Sequence, residues 1–398
     1  MTGATRILSR IALAALAVLL SAGAAFAGAR PQTVSAARPK MAPICDGTSA
    51  LTLIGIDTTS GRMLFSIPPL GAGSPWLVEL DAAGREARAY PDPPKGLFSG
   101  SVGPGPVIAV VSCGESCVQP MRWDEGTWSP VGEPLTTPVA STLTPTYDPR
   151  GAPWLILHAP SGQEGYVKTW AYRLEGREWK SRGVAIETTA VGQPAALPAP
   201  QRKDGVLSGT GLFSASGPPQ LWVTGVPTLP SARRGQLVAL TGTSAAYLSG
   251  DGVVYLSDDG GKKWRRSTWT PWGSGDVVGS WRQGSDYWVD LPYGDHEGFL
   301  RLAWFDRRRP SEELIVLTRL TKTGDWVRLA EAPSEIRTRS GDIMPIAQIL
   351  VPKGNTWVLL SGCAATADGS GLVVRVYDGT SLSAPKFVPF TAGAAAAR

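Results

Sequence analysis

Short apolar runs separated by stretches rich in Gly, Pro, Asp and Ser recur along almost the whole chain. The runs are three to six residues long, and no segment has the 3.6-residue apolar period of an amphipathic helix. Runs of this length between turn residues predict β-strands, and a succession of them predicts an all-β sandwich, barrel or propeller. The clearest runs are Leu51–Ile56, Trp76–Leu80, Val107–Val111, Trp154–Leu157, Leu221–Val223, Val253–Leu256, Leu314–Leu317, Trp357–Leu360 and Leu372–Tyr377.

A longer repeat selects among these folds. Six segments consist of a strand, a tight turn that contains Gly, and a returning strand, with turns near residues 84, 126, 176, 260, 324 and 379. The longest gap, between 176 and 260, leaves room for one further copy. Because a period of about 40–55 residues is what four-stranded propeller blades require, the spacing predicts a single β-propeller of about seven blades, with six or eight as alternatives.

One of these turns carries a recognisable motif. Residues 257–264 read Ser-Asp-Asp-Gly-Gly-Lys-Lys-Trp and fit the pattern S-x-D-x-G-x-x-W. Ser257 and Asp259 can accept backbone N–H groups within a tight turn, Gly261 can take the left-handed conformation, and Trp264 can begin the returning strand and pack inward. The segment resembles the Asp-box (BNR) repeat of sialidases and of non-enzymatic propellers. The resemblance implies a sialidase-like β-propeller in which the box is structural and carries no chemistry.

The N-terminal residues have the features of an export signal. Arg6 and Arg10 precede the apolar run Ile11–Leu20, and Ala25-Phe26-Ala27 fits an A-x-A cleavage site, so we expect a secreted or periplasmic protein, with no membrane span after cleavage. An uncleaved anchor over Ile11–Ala29 is the alternative. The excess of Arg over Lys is typical of a GC-rich bacterial genome. The predicted organisation is a signal peptide (1–27), a flexible Ala/Pro-rich leader (28–43), the propeller (44–390) and a disordered tail (391–398).

Four cysteines fit an oxidising compartment and allow three pairings. Cys113 and Cys117 bracket a loop of three residues, whereas Cys45 and Cys363 lie near the two ends of the predicted domain. Two disulfides, Cys113–Cys117 and Cys45–Cys363, are the favoured interpretation, and the long one would join the ends of the propeller ring. The connectivity stays open at this level, and a metal site lacks nearby ligands.

Charge and histidine content exclude several function classes. The formal net charge of +5 is spread over 398 residues and includes the two signal arginines. The electrostatic field of so small a charge is too weak to indicate a nucleic-acid partner. The basic clusters 262–266 and 307–309 are interpreted as solvated turns. His158 and His296 cannot form a three-histidine metal centre, and His158, at the end of an apolar run, is interpreted as a buried histidine with its hydrogen bonds satisfied.

An enzyme of the sialidase type is the alternative that the Asp-box resemblance raises. That family has an early F/Y-R-I-P motif, and here Phe65-Ser66-Ile67-Pro68 has Ser66 in place of the arginine. The substitution removes the guanidinium that would bind a substrate carboxylate in a bidentate manner. We therefore interpret residues 65–68 as the end of an ordinary strand and assign no catalytic residue.

Residues 279–297 combine aromatic rings with carboxylates, as a sugar-binding surface requires, although buried blade strands with acidic loops are the alternative. Asp290, Asp295 and Glu297 offer oxygens of the kind that Ca²⁺ prefers, but the spacing of a calcium loop is missing, so no cofactor is expected and calcium stays the alternative. The sequence predicts a monomeric, non-catalytic binding or scaffold protein that recognises a glycan or an envelope protein through top-face loops. The candidate ligand-binding residues are Trp281, Arg282, Asp286, Tyr287, Trp288, Asp290, Tyr293 and Asp295.

Overall fold

The computed structural model describes much of the predicted domain, and every regular element within the described part is a β-strand. An all-β fold is therefore confirmed for this part, which contains no helix able to cross a membrane. The predicted signal peptide, the whole predicted leader and most of the predicted tail lie outside it. The described residues are 44–45, 51–69, 74–91, 93–137, 142–162, 166–188, 196–198, 204–208, 211–221, 236–241, 244–248, 254–259, 262–266, 287–290, 300–306, 314–320, 326–337, 343–366 and 369–393.

The strands form successive antiparallel meanders of four, in which each strand pairs with the next along the chain. The first meander contains β1 (Thr52–Asp57), β2 (Arg62–Ile67), β3 (Trp76–Leu80) and β4 (Ala87–Pro91). The second contains β5 (Leu97–Gly100), β7 (Ile108–Gly114), β8 (Cys117–Asp124) and β9 (Thr127–Pro130). Two short strands flank it: β6 (Val102–Gly103), parallel to β1, and β10 (Leu135–Thr136), antiparallel to β8.

The pattern continues to the C-terminal end of the described region. The third meander contains β11 (Thr142–Tyr147), β12 (Pro153–Pro160), β13 (Tyr166–Glu175) and β14 (Glu178–Thr188). The fourth contains β15 (Ala196–Pro198), β16 (Gly205–Ser208), β17 (Gly211–Ser214) and β18 (Gly217–Leu221), and the fifth β19 (Gln236–Thr241), β20 (Ser244–Leu248), β21 (Val254–Ser257) and β22 (Arg265–Arg266). The sixth contains β23 (Tyr287–Asp290), β24 (Leu300–Asp306), β25 (Leu314–Leu320) and β26 (Trp326–Pro333). After β27 (Glu335–Arg337), the last meander contains β28 (Ile343–Lys353), β29 (Thr356–Thr366), β30 (Gly369–Tyr377) and β31 (Lys386–Ala392).

The turns predicted from the sequence occupy one equivalent position in these meanders. All six lie between the third and fourth strands, and the copy expected between 176 and 260 is the β17–β18 turn at residues 215–216. Each apolar run predicted as a strand overlaps an observed strand, with ends that differ by a few residues. The local pattern therefore identified the repeating unit correctly.

The first strands of the first four meanders lie against one another in succession. β1 contacts β5, β5 contacts β11, and β11 contacts β15. The β1 and β5 backbones approach so closely that a Cβ added at Gly100 would lie 2.1 Å from the carbonyl oxygen of Ile54, and one added at Gly55 would lie 2.4 Å from that of Ser101. Glycine is needed at both positions because no side chain would fit. Meanders that converge on their first strands are arranged as the blades of a β-propeller.

The core lies between adjacent meanders. Along β12 the side chains alternate between the two faces of the sheet. Trp154 and Ile156 belong to a buried apolar cluster that includes Phe213 of the fourth meander, whereas Leu155 and Leu157 belong to one shared with the second. Strands in this position are buried on both faces, which is why they read as continuous apolar runs.

The two ends of the domain meet and close the ring. β31 pairs in parallel with β4, and the side-chain amide nitrogen of Gln348 donates a hydrogen bond to the carbonyl oxygen of Leu51 at 2.6 Å. Thr391 and Ala392 belong to β31, and the amide of Gly393 donates to the carbonyl oxygen of Ala89 at 2.9 Å. The sequence boundary between propeller and tail at 390/391 is therefore wrong, because β4 stabilises these residues from about 300 positions away along the chain.

Both expected disulfides are present. Cys45–Cys363 joins the segment before β1 to β29, with Cα atoms 6.1 Å apart, and Cys113–Cys117 spans the β7–β8 hairpin. All four cysteines are thus paired. Two disulfides indicate an oxidising environment, extracellular or periplasmic.

Candidate functional site

A cleft of about 230 Å³ lies between the first and second meanders. Its walls come from the end of β1, the β1–β2 turn and the start of β2, from β3, from residues 106–107, and from the end of β8 with the β8–β9 turn. An indole, an arginine and several carboxylates line it. The residues that carry its chemistry are Asp57, Arg62, Glu79, Trp123, Asp124 and Glu125.

Glu79 is the buried charge of this cleft. It lies in β3, and the two-residue alternation of a strand places its side chain on the same face as that of Leu77, where an apolar residue is expected. Its exposed fraction is 7%. Its Oε2 accepts a hydrogen bond from Nε1 of Trp123 at 2.7 Å. The ring of Trp123 packs edge-on against Tyr90, with ring centroids 4.9 Å apart. Packing of the indole thus fixes the direction in which it donates to Glu79.

Arg62 connects the buried carboxylate to the rim of the cleft. Its Nη1 lies 3.8 Å from Oε1 of Glu79, and its Nη2 donates to Oε1 of Glu125 at 3.1 Å. Burial by itself lowers the pKa of Arg62, but the two carboxylates outweigh it and the net shift is upward. Glu125 has φ of 42°, left-handed backbone that a tight β8–β9 turn requires. Arg62 therefore stays charged and shared between the two acids.

The remaining two carboxylates differ in how far they are committed to protein contacts. Asp57 stabilises its own turn, since Oδ1 accepts from the amides of Thr59 and Ser60 and Oδ2 accepts from the Ser60 hydroxyl. Asp124 is exposed, and its carboxylate has no hydrogen bond or ion pair to any residue that the structure describes. Its carboxylate is therefore the one at the rim that is free to meet a ligand.

The Asp-box segment connects β21 to β22 along the chain. Oδ1 of Asp259 accepts hydrogen bonds from the amide of Lys263 at 2.9 Å and from the Ser257 hydroxyl at 3.0 Å. These bonds, the one from the Lys263 amide first, lower the pKa of Asp259. Trp264 directly precedes β22 and is half-buried, and Gly261 lies outside the described residues. The hydrogen bonds are of the kind expected for a turn-stabilising motif, and membership of the Asp-box superfamily stays a prediction.

Other aspartates perform the same task without the full motif. In the first meander Oδ1 of Asp81 accepts from the Arg85 amide at 2.6 Å, and in the last meander Oδ1 of Asp378 accepts from the Thr380 amide at 2.8 Å. The backbone and side-chain bonds from Ser381 and Thr380 hold the pKa of Asp378 at about 2. The Gly-containing turn was the sequence signal for this equivalence, and an aspartate precedes the glycine in only some of the copies, since the turn near residue 176 has Glu175 at that place.

Two further sequence interpretations fall within the described part. Phe65 and Ile67 are fully buried in β2, which confirms that residues 65–67 belong to an ordinary strand. His158 lies in β12 with an exposed fraction of 8%, and its Nδ1 is 3.0 Å from the hydroxyl oxygen of Thr169. Its Nε2 is buried without a described partner, so its hydrogen bonding is satisfied only in part. Burial lowers the pKa of His158 to about 4, which keeps the ring neutral.

The predicted ligand-binding segment falls almost wholly outside the described residues. Only Tyr287, Trp288 and Asp290 lie in a described element, β23, whose backbone pairs with β24. The role assigned to these residues therefore stays a prediction. The cleft of the first two meanders was missed by the sequence interpretation, although Glu79 interrupts an apolar run and Trp123-Asp124-Glu125 begins one of the predicted turns. Within the described region, no three His, Cys, Asp or Glu side chains are grouped as a metal site requires.

Comparisons with known proteins identify no family: no protein-family model and no curated protein matches the chain. Among solved structures, the chain is similar to the acylaminoacyl peptidase of Pyrococcus horikoshii, with 8% identity and a TM-score of 0.47 over 85% of this chain and 52% of that one. It therefore spans about half of the peptidase. It is also similar to the β-propeller domain of the Trilobed protease from Pyrococcus furiosus, with 9% identity and a TM-score of 0.47 over 85% and 96% of the two chains. A third similar structure is SapL1 lectin in complex with alpha methyl fucoside, with 10% identity and a TM-score of 0.41 over 87% and 98%.

Proposed function

We propose that this chain is a seven-bladed β-propeller of the Asp-box type, exported by its N-terminal signal, and that it is a non-catalytic binding protein. The succession of meanders supports the blade number, because the six Gly-containing turns predicted from the sequence and the further turn at 215–216 each lie between the third and fourth strands of a different meander. The hydrogen bonds of Asp259 support the Asp-box assignment. The paired cysteines support export.

We further propose that the ligand is a glycan bound in the cleft between the first two meanders. The observation that carries this proposal is Glu79, a buried carboxylate that lines the cleft and is oriented by Trp123 through a 2.7 Å hydrogen bond. Buried charges are costly unless they have partners, so a charge kept at the wall of an open cleft is typical of a binding site. Carboxylates fixed in this way accept hydrogen bonds from hydroxyl groups, of which sugars carry several.

Binding of a panel of immobilised oligosaccharides by the purified protein tests the proposal. At least one oligosaccharide should bind, and Glu125→Gln should weaken binding because it removes the charge that holds Arg62 at the rim. Glu133→Gln is the matched control, since Glu133 is an exposed carboxylate of the second meander outside the cleft. Absence of any bound oligosaccharide, or equal effects of the two variants, would contradict the proposal.

A parallel assay addresses the sialidase-like alternative. The purified protein is incubated with fluorogenic glycosides, sialosides included, at mildly acidic and neutral pH. We expect no turnover, because Ser66 stands where the sialidase motif has its arginine. Hydrolysis of any member that Glu79→Gln abolishes would replace the binding proposal by an enzymatic one.

A further inference from the structure

We propose that the cleft binds glycans that carry a free amino group, such as oligomers of glucosamine, through the ammonium of the sugar. This inference rests on the proposed glycan binding and specifies the chemical class of the ligand. It depends on the charge of the cleft, on an oxygen of the Glu79 carboxylate that has no hydrogen bond, and on the shape of the acidic group.

The cleft has the opposite charge sign to the chain as a whole. Four carboxylates and one guanidinium line it and leave three unbalanced negative charges, whereas the formal net charge of the chain is +5. Arg62 cannot balance more of the charge, because its two ends already face Glu79 and Glu125. Low-dielectric walls concentrate the field of such a cleft, so a cationic group is attracted into it and an acidic sugar is repelled.

Glu79 supplies a specific acceptor in addition to this general field. Its Oε2 is occupied by Trp123, but its Oε1 has only the guanidinium of Arg62 at 3.8 Å, beyond hydrogen-bond distance. The Glu79 side chain makes no other hydrogen bond or ion pair to the described residues, and the residue is more than nine-tenths buried at the cleft wall. A carboxylate oxygen in this state, on a largely buried residue that lines the cleft, gains most from a charged donor, because charge-assisted hydrogen bonds are about twice as strong as neutral ones.

The geometry favours an organic ammonium over an inorganic cation. The carboxylates of the cleft are not grouped as the ligands of a metal ion are, within the part of the chain that the structure describes. The cleft volume of about 230 Å³ exceeds the space that one ion needs, and Trp123 and Val107 add apolar surface for the ring of a sugar. A cationic monosaccharide unit fits both the polar and the apolar part of this lining.

Paired oligosaccharides that differ only at the amino group provide the test. Isothermal titration calorimetry measures binding of a glucosamine tetramer and of an N-acetylglucosamine tetramer at pH 6, in low salt and in 0.5 M NaCl. We expect at least about tenfold tighter binding of the glucosamine tetramer, the effect of one charge-assisted hydrogen bond, and a decrease of that preference in high salt.

Variants then assign the preference to the cleft. Glu79→Gln should reduce the preference for the free amine by about tenfold while leaving an acceptor for Trp123, and Asp124→Asn, at an exposed position that tolerates substitution, should reduce it by a few-fold. Glu133→Gln should leave it unchanged. The Asp124 variant keeps the test decisive if Glu79→Gln does not fold, as judged by circular dichroism.

The outcomes separate this inference from the proposed function. Equal affinity for the two tetramers, or binding of neutral glycans alone, overturns the amino-sugar proposal and leaves glycan binding intact. A preference for the amine that Glu79→Gln and Asp124→Asn both fail to change also overturns it. Failure to bind any oligosaccharide of the panel overturns both proposals together.

Discussion

Removal of the Cys45–Cys363 disulfide should destabilise the protein far more than removal of Cys113–Cys117. The long bridge joins positions 318 residues apart, whereas the short one joins positions four residues apart. In the chain-entropy model the restriction of the unfolded chain contributes about 6 kcal/mol for the long loop and about 2 kcal/mol for the short one. The first value is a large share of the free energy of unfolding of a typical domain, which is roughly 5–15 kcal/mol.

Burial increases the expected contrast. Cys45 and Cys363 are almost fully buried and belong to the apolar cluster that joins the first and last meanders, whereas Cys113 is exposed. Substitution of the buried pair by alanine therefore also removes apolar contacts. Because β31 still pairs with β4 in the variant, the domain should fold with its ring closed but at reduced stability.

Guanidinium denaturation of two double variants measures the difference. Cys45→Ala/Cys363→Ala should lose at least about 4 kcal/mol of unfolding free energy and show a larger denaturant dependence, because its unfolded chain exposes more surface. Cys113→Ala/Cys117→Ala, the matched control, should lose no more than about 2 kcal/mol. Similar losses for the two variants, or a larger loss for the short bridge, would refute the ring-closure reasoning.

Three further predictions concern stability. The free energy of unfolding should fall by about 2 kcal/mol from pH 7 to pH 5. The pKa of His158 is about 4 in the folded protein and near 6.5 in the unfolded chain, so the unfolded chain takes up the proton first. Urea titrations should show that His158→Gln lacks this part of the pH dependence. Gly100→Ala should lower the free energy of unfolding by at least about 2 kcal/mol, since the new Cβ would lie 2.1 Å from a carbonyl oxygen. Gly217→Ala, the control, should lower it by less than about 1 kcal/mol, because its Cβ would have its nearest neighbour at 3.8 Å. Equal losses of stability in chemical denaturation would contradict this prediction. Trp123→Phe should cost about 1–3 kcal/mol by leaving the buried carboxylate of Glu79 without its donor, and a change below about 0.5 kcal/mol would show that the bond is not needed.

The repeating unit of this protein is encoded locally, and the sequence was sufficient to predict it. Strand length, the two-residue alternation and turns that combine Asp with Gly depend on residues within about ten positions of one another. For this reason the turn at Asp259 and the third-to-fourth-strand turns were predicted where the structure has them. The cysteine spacing likewise indicated a local bridge at Cys113–Cys117.

The closure of the ring and the cleft depend on contacts that no local pattern contains. Thr391 was assigned to a tail because the strand that pairs with its own, β4, is about 300 residues distant. In the sequence Glu79 is a single acidic residue in an apolar strand. It becomes part of a candidate site only because Trp123, from the second meander, donates a hydrogen bond to it. The sequence by itself therefore determined the strands, the turns and the oxidising compartment, whereas tertiary packing between neighbouring meanders decided which charges are buried together and where a ligand can bind.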